Sequence, residues 1–257
     1  MAMFKIISVF CFLICCRFCN AQTAPLQKKI IYTKAKAIPT SRYIYNAPSA
    51  IENTGKVNYK IYRYKQLKKE DVKGLVLLSN YDADLATPLL NNIAQHLSNA
   101  DYIVAIVQHH GNQGLNFVTE AQKVEHDYLS VMNKIFTAYG GSISKTVIGG
   151  ISFSGFALSY SLSQQSSPFK NIAGLALIAS GTNPYIQVPV INKVCANDVD
   201  SNTFGNIAGD DLQAALNNNN ASIAAKSTCQ TDAVCNGHNS SDTWADFFIT
   251  KIKVWLP

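Results

Sequence analysis

From Lys73 onward the chain alternates short, continuous apolar runs with segments of helical spacing. KGLVLLSN (73–80), DYIVAIVQ (101–108), SKTVIGGIS (144–152), NIAGLALIAS (171–180) and VPVINKVCA (188–196) are the apolar runs. A short run without polar alternation is a strand buried on both faces. Between them lie ATPLLNNIAQHLSNA (86–100), VTEAQKVEHDYLSVMNKIFTAYG (118–140) and SGFALSYSLSQQ (154–165). The long segment carries apolar Val124, Leu129, Met132 and Phe136 and stops at Gly140-Gly141, where a helix end takes glycine. Strands and helices alternating at these spacings are βαβ crossovers. They predict an α/β chain with a mostly parallel central sheet and helices on both faces.

Upstream, KIIYTKAK (29–36) and VNYKIYRYK (57–65) alternate apolar and polar residues, as half-buried strands do. Downstream, DDLQAALNNNNASIAAK (210–226) opens on acids and is helix-like at first, with the Asn run at 217–220 a loop or a helix end. DTWADFFITKIKVWL (242–256) is amphipathic, and its leading Asp complements the helix dipole. No internal repeat interrupts the pattern.

The first residues, MAMFKIISVFCFLICCRFCNAQ, differ in kind. Lys5 supplies a positive n-region, Ile6–Cys16 is an unbroken apolar run, and Cys19-Asn20-Ala21 offers a small residue for cleavage. We read residues 1–21 as a secretory signal peptide and 22–257 as a single domain. The run is too short to span a bilayer, no lipobox precedes Cys15, Cys16 or Cys19, and no later segment predicts a stable membrane span. The mature chain is therefore expected to be secreted or periplasmic. Cys195, Cys229 and Cys235 remain in it, so an oxidising compartment implies one disulfide and one thiol left over. Losing Lys5 and Arg17 lowers the formal charge from +6 to +4. Basic residues are scattered, apart from the solvated loop KQLKKEDVK (65–73), which leaves no nucleic-acid footprint.

In open α/β sheets reactive groups sit beyond the carboxyl ends of the strands. After KTVIGG comes Ile151-Ser152-Phe153-Ser154-Gly155, then a helix. A serine on a tight strand-to-helix turn needs small residues two before and two after it. Gly150 and Ser154 satisfy this for Ser152, whereas Ser154 as centre would have Phe156 on one side. A serine nucleophile needs a base, and the base an orienting acid. Asp198 follows a late strand in Ala196-Asn197-Asp198, with Asp200 the runner-up acid, and His238 follows the next strand in Asn236-Gly237-His238-Asn239.

In this order Ser152, Asp198 and His238 resemble the α/β-hydrolase superfamily from about Lys73 to Leu256. VIGGISFSG is similar to its nucleophile elbow, VPVINKVCAND to its strand-plus-acid segment, NGH to its histidine loop and GLVLLSNYDAD to its oxyanion loop. Two departures are visible: Ser154 stands where glycine is usual, and Ser79-Asn80 replaces the familiar His-Gly. The resemblance implies a serine carboxylesterase or lipase-like enzyme working through an acyl-enzyme, without cofactor. Ser152 would be nucleophile, His238 base, Asp198 its acid, and the backbone N–H groups of Tyr81 and Phe153 the oxyanion hole. The same set serves acyltransferases, and the fold also occurs in inactive binding proteins.

Cys195 lies three residues before Asp198 and Cys235 three before His238. A Cys195–Cys235 bridge would tie the two loops; a local Cys229–Cys235 bridge is the rival. Only GTNPYIQ separates LALIAS from VPVINKV, which leaves no room for a helical cap domain. The resulting open site, lined by Tyr81, Phe153, Tyr185 and Phe204, resembles capless cutinase-like and dienelactone-hydrolase-like proteins. It suits a small ester or one at a lipid or polymer chain end. His109-His110 lacks a Cys or carboxylate at metal-ligand spacing and reads as a polar loop, and His96 and His126 as structural; no metal is expected. The oligomeric state is left open.

Overall fold

The computed structural model describes residues 26–34 and 56–257, except 65, 112, 113 and 115. The expected signal peptide, residues 1–21, lies outside the described residues.

Strands β1 (Leu26–Lys34), β2 (Lys56–Tyr64), β3 (Gly74–Ser79), β4 (Tyr102–Gln108), β5 (Thr146–Ile151), β6 (Gly174–Ile178), β7 (Val190–Ala196) and β8 (Thr228–Asn236) form one sheet. Its order is β1-β2-β4-β3-β5-β6-β7-β8. The strands from β4 across to β8 are parallel, while β2 runs antiparallel to both β1 and β4. The sequence texture explains the division. β3, β4, β5 and β6 are continuous apolar runs buried almost throughout. Their side chains alternate between two cores. Ile103, Ala105 and Val107 of β4 face one side, and Tyr102, Val104 and Ile106 the other.

Helices α1 (Pro88–Ser98), α2 (Phe117–Tyr139), α3 (Phe153–Ser163), α4 (Gly209–Asn219), α5 (Ala221–Ala224) and α6 (Ala245–Trp255) cover both faces. Val124, Tyr128 and Met132 of α2, Leu158 of α3 and Leu212 of α4 close one core. Leu89, Leu90 and Ile93 of α1 close the other together with Phe248 and Ile252 of α6. Local chemistry sets the helix starts: Pro88 opens α1, where its missing N–H costs nothing, and the Asn116 side chain caps α2 by accepting from Thr119 N at 3.0 Å. The Asn run ends α4 and caps α5. Between β6 and β7, residues 179–189 carry no helix. Among the described residues no helix is long and apolar enough to cross a membrane.

β8 carries no apolar run, although His238 required a strand before it. Among the described residues it is an edge strand, paired with β7 alone and largely exposed. Its register slips at the end: Cys195 pairs with Asp232 but Ala196 with Asn236. Cys195 and Cys235 are joined there by a disulfide, with their Cα atoms 5.0 Å apart, and Cys229 is the buried free thiol.

The bridge closes a sequence separation of 40, for which chain entropy predicts stabilisation of about 4 kcal/mol. Replacing both Cys195 and Cys235 by Ala is expected to lower stability by up to that amount, read from urea denaturation. Replacing Cys229 by Ala should leave the reductant sensitivity of unfolding in place.

Candidate active site

β5 ends at Ile151 and α3 begins at Phe153, so a single residue turns the chain. Ser152 makes that turn at φ 51°, ψ −120°, a region that costs a non-glycine residue about 1–3 kcal/mol. Ser152 N donates to Ile178 O at 2.8 Å, and Phe156 N to Ser152 O at 3.1 Å. The turn depends on close approach. A Cβ on Gly150 would lie 2.5 Å from Ser154 Cβ, and one on Gly155 would lie 2.1 Å from Ser180 Oγ. Small residues are thus required on both sides of Ser152, as the sequence spacing suggests.

The Ser152 hydroxyl lies 2.7 Å from His238 Nε2. On the far side of the ring, His238 Nδ1 lies 2.9 Å from Asp198 Oδ1. A carboxylate there holds the proton on Nδ1 and leaves Nε2 to accept from the serine. Asp198 is buried while His238 reaches the surface. Ser201, absent from the sequence-derived candidates, keeps the carboxylate in place: its N donates to Oδ1 at 3.0 Å and its Oγ to Oδ2 at 2.6 Å. The legible signal is a serine three residues after an Asp in a turn, the spacing of a side-chain cap. Asp198, Asp200 and His238 bring one potential metal-binding atom each within 4.8 Å of one another. Both oxygens of Asp198 are, however, engaged by His238 and Ser201. Between the two candidate acids it is Asp198 that meets the imidazole.

The backbone donors are unequal. Phe153 is the first residue of α3, where an N–H has no partner in its own helix. Tyr81 N instead donates to Asn80 Oδ1 at 2.9 Å, while Asn80 Nδ2 donates to Asp82 Oδ1 at 2.8 Å. The carboxamide that stands in place of a glycine therefore sits on the N–H expected to serve an oxyanion.

Behind this loop lies a buried polar cluster where the sequence suggests only an ordinary polar loop. His109 Nε2 lies 3.0 Å from both Asn80 O and Ser154 Oγ, and Ser154 Oγ donates to Asn80 O at 2.6 Å. Gly111 N donates to His109 Nδ1 at 3.2 Å. Neighbouring His110 is hooked to Asp127, its N at 2.6 Å and its Nδ1 at 3.0 Å from Oδ2. Burial pushes the Asp127 carboxyl up, but the hydrogen bonds from His110, with the His126 imidazole close by, outweigh it and hold the group below the usual carboxylate range.

Of the expected substrate-lining residues, Tyr81 is 48% exposed beside the site. The Phe153 ring packs inward, edge-on to Phe117 at 6.1 Å and tilted on His109 at 6.1 Å. Tyr185 lines a groove of about 160 Å³ with Ser159, Leu162, Thr182 and Ile186, and Ser152, Asp198 and His238 are not among its lining. The side chain of Phe204 lies outside the described residues. His96 is exposed on α1, and His126 Nδ1 lies 3.8 Å from Asp127.

This strand order, with a strained serine after β5, an acid after β7 and a histidine after β8, is the α/β-hydrolase fold. Solved structures agree. The chain aligns over 96% of its length with 90% of a bacterial heroin esterase, at TM-score 0.60 and 11% identity. It matches a cold-adapted esterase from an Arctic intertidal metagenomic library over 89% of this chain and 92% of that one, at TM-score 0.57 and 13% identity. A prolyl endopeptidase is similar at TM-score 0.57 and 13% identity over 90% of this chain, which spans 39% of that one. At such identities the likeness shows the fold. No protein-family model and no curated protein matches the sequence.

Burial holds the His109 imidazole below the ordinary value of 6.5, outweighing the pull of Asn80 O and Asp127. The unfolded chain then binds more protons, so the stability from this site is complete above about pH 6.5 and falls as pH drops through the lowered native value. Denaturation midpoints at about pH 8 and pH 5 should show a smaller loss for His109→Gln than for the parent.

Proposed function

We propose that the protein is an exported serine carboxylesterase in which Ser152 is the nucleophile, His238 the general base and Asp198 its orienting acid. The observation that carries this reading is the unbroken relay of 2.7 Å from Ser152 Oγ to His238 Nε2 and 2.9 Å from His238 Nδ1 to Asp198. The esterases among the structural neighbours support it. His238 takes the hydroxyl proton as Ser152 Oγ attacks the ester carbonyl. The tetrahedral oxyanion is received by the N–H groups of Phe153 and Tyr81. His238 then returns the proton to the departing alcohol, and the acyl-enzyme is hydrolysed by a water that His238 activates in turn.

Catalysis asks one rearrangement of the free enzyme: the substrate oxygen displaces Asn80 Oδ1 from Tyr81 N–H. The helix-free segment 179–189 supports an uncapped site, and the apolar exposure of Tyr81 and of Val199, 74% exposed beside Asp198, supports an ester at a lipid or polymer chain end. In this reading residues 1–21 are the signal peptide and 22–257 the mature domain. The Cys195–Cys235 disulfide supports a secreted or periplasmic location.

Turnover of p-nitrophenyl esters of graded chain length tests the reading. Ser152→Ala should lower kcat by roughly 10⁴-fold or more, and a serine-reactive phosphonate should label Ser152 stoichiometrically. A parent enzyme that neither takes the label nor turns over any ester excludes it. Asn80→Ala removes a competing hydrogen bond with a net value of about 1 kcal/mol. It should therefore raise kcat/KM about five-fold, read on the best ester of the series.

A further inference from the structure

Two buried polar residues beside the relay take no part in it. One is a serine two positions after Ser152, the other a histidine just past the end of β4. Both converge on one atom, the carbonyl oxygen of Asn80. Ser154 Oγ donates to it at 2.6 Å and His109 Nε2 lies 3.0 Å from it. We propose that His109 and Ser154 are positioning residues that aim the Tyr81 N–H for the oxyanion by clamping the carbonyl of the same peptide unit. The proposal rests on the serine-esterase reading above.

No described peptide bond is cis, so the Asn80 carbonyl and the Tyr81 N–H point in opposite directions from one rigid plate. Fixing the oxygen on its buried side fixes where the N–H aims on the other. One donor would leave the plate free to rock about the hydrogen bond; two donors from different elements remove that freedom. Proton roles are settled by the surroundings. Gly111 N donates to His109 Nδ1 at 3.2 Å, which leaves the ring proton on Nε2, shared between Asn80 O and Ser154 Oγ. The serine proton then goes to Asn80 O. Every donor and acceptor of this triangle is used, and His109, Ser154 and Asn80 are all buried, at 4%, 0% and 8% exposure. Burial also keeps the imidazole neutral, so that Nδ1 stays available to Gly111.

The clamp is anchored to the elements that carry the reaction. β3 pairs with β5 so that Ser79 stands opposite Gly150, which brings the two strand ends to one level. Ser154 belongs to the first turn of α3, the turn that also carries the Phe153 N–H and follows Ser152 directly. Both proposed oxyanion donors are thereby referenced to one helix end. His109 is itself fixed by the adjacent His110, hooked to the fully buried Asp127 of α2.

A mis-aimed donor is felt where negative charge develops, not where the neutral ester binds. Ser154→Ala and His109→Phe are therefore expected to lower kcat on a p-nitrophenyl ester at least ten-fold with KM within about two-fold. They should weaken inhibition by an alkyl boronic acid, a tetrahedral mimic, by the same factor as kcat/KM. His109→Gln keeps an N–H donor and should recover most of the loss. Melting temperatures measured alongside separate aim from folding, and Ser154→Ala serves where His109→Phe does not fold. The proposal is overturned if Ser154→Ala and His109→Phe both keep parental kcat and boronate affinity while Ser152→Ala is inactive. It is overturned equally if kcat falls only in step with melting temperature and boronate affinity is unchanged. Turnover that survives Ser152→Ala instead removes the esterase reading beneath it.

Discussion

The left-handed backbone at Ser152 is the constraint on which the site depends. An L-residue holds that conformation only when its surroundings leave it no alternative. Here the surroundings are the contact of Gly150 with Ser154 and of Gly155 with Ser180, distances at which no further carbon fits. β5 and α3 are thereby brought so close that the connecting residue has nowhere to go but outward. The hydroxyl it presents stands at the helix N-terminus, where unpaired N–H groups favour negative charge.

The other members of the relay are held by different means. Asp198 is buried, and its position is fixed by Ser201 from within its own loop. His238 sits on an exposed loop after an edge strand with few apolar contacts. What restrains that loop is covalent: the Cys195–Cys235 disulfide spans the register slip between β7 and β8, just before Asp198 on one strand and His238 on the other. An edge strand that lacks an apolar run gains little from burial. A cross-link at its carboxyl end supplies the restraint that packing does not.

Polar burial at the end of β4 contrasts with the apolar core around it. Burying imidazoles and a carboxylate is costly unless each is hydrogen-bonded, and here they are: Asp127 by His110, and His109 by Gly111, Asn80 and Ser154. The network joins β3, β4, α2 and α3 at the height of Ser152. It is specified by geometry that apolar side chains could not impose.

Read from the residues alone, the continuous runs of β3 to β7 and the spacing of α1, α2 and α3 determined the parallel sheet and its helical layers, because burial on both faces leaves a direct mark on composition. The order of Ser152, Asp198 and His238 was legible for a related reason: each follows the carboxyl end of a strand. β8 left a fainter mark, since an edge strand has little need of apolar residues. Tertiary structure alone decided the rest. It chose Asp198 over Asp200, paired Cys195 with Cys235 rather than Cys229 with Cys235, turned Tyr185 onto a groove lined by Ser159 and Thr182, and set the Asn80 side chain on the Tyr81 N–H. It also gathered His109 and Ser154 around one carbonyl, although they are 45 residues apart in the chain. Periodicity records which face of an element is buried. Which polar atoms meet there is decided by distances between elements, and no local pattern in the sequence encodes those.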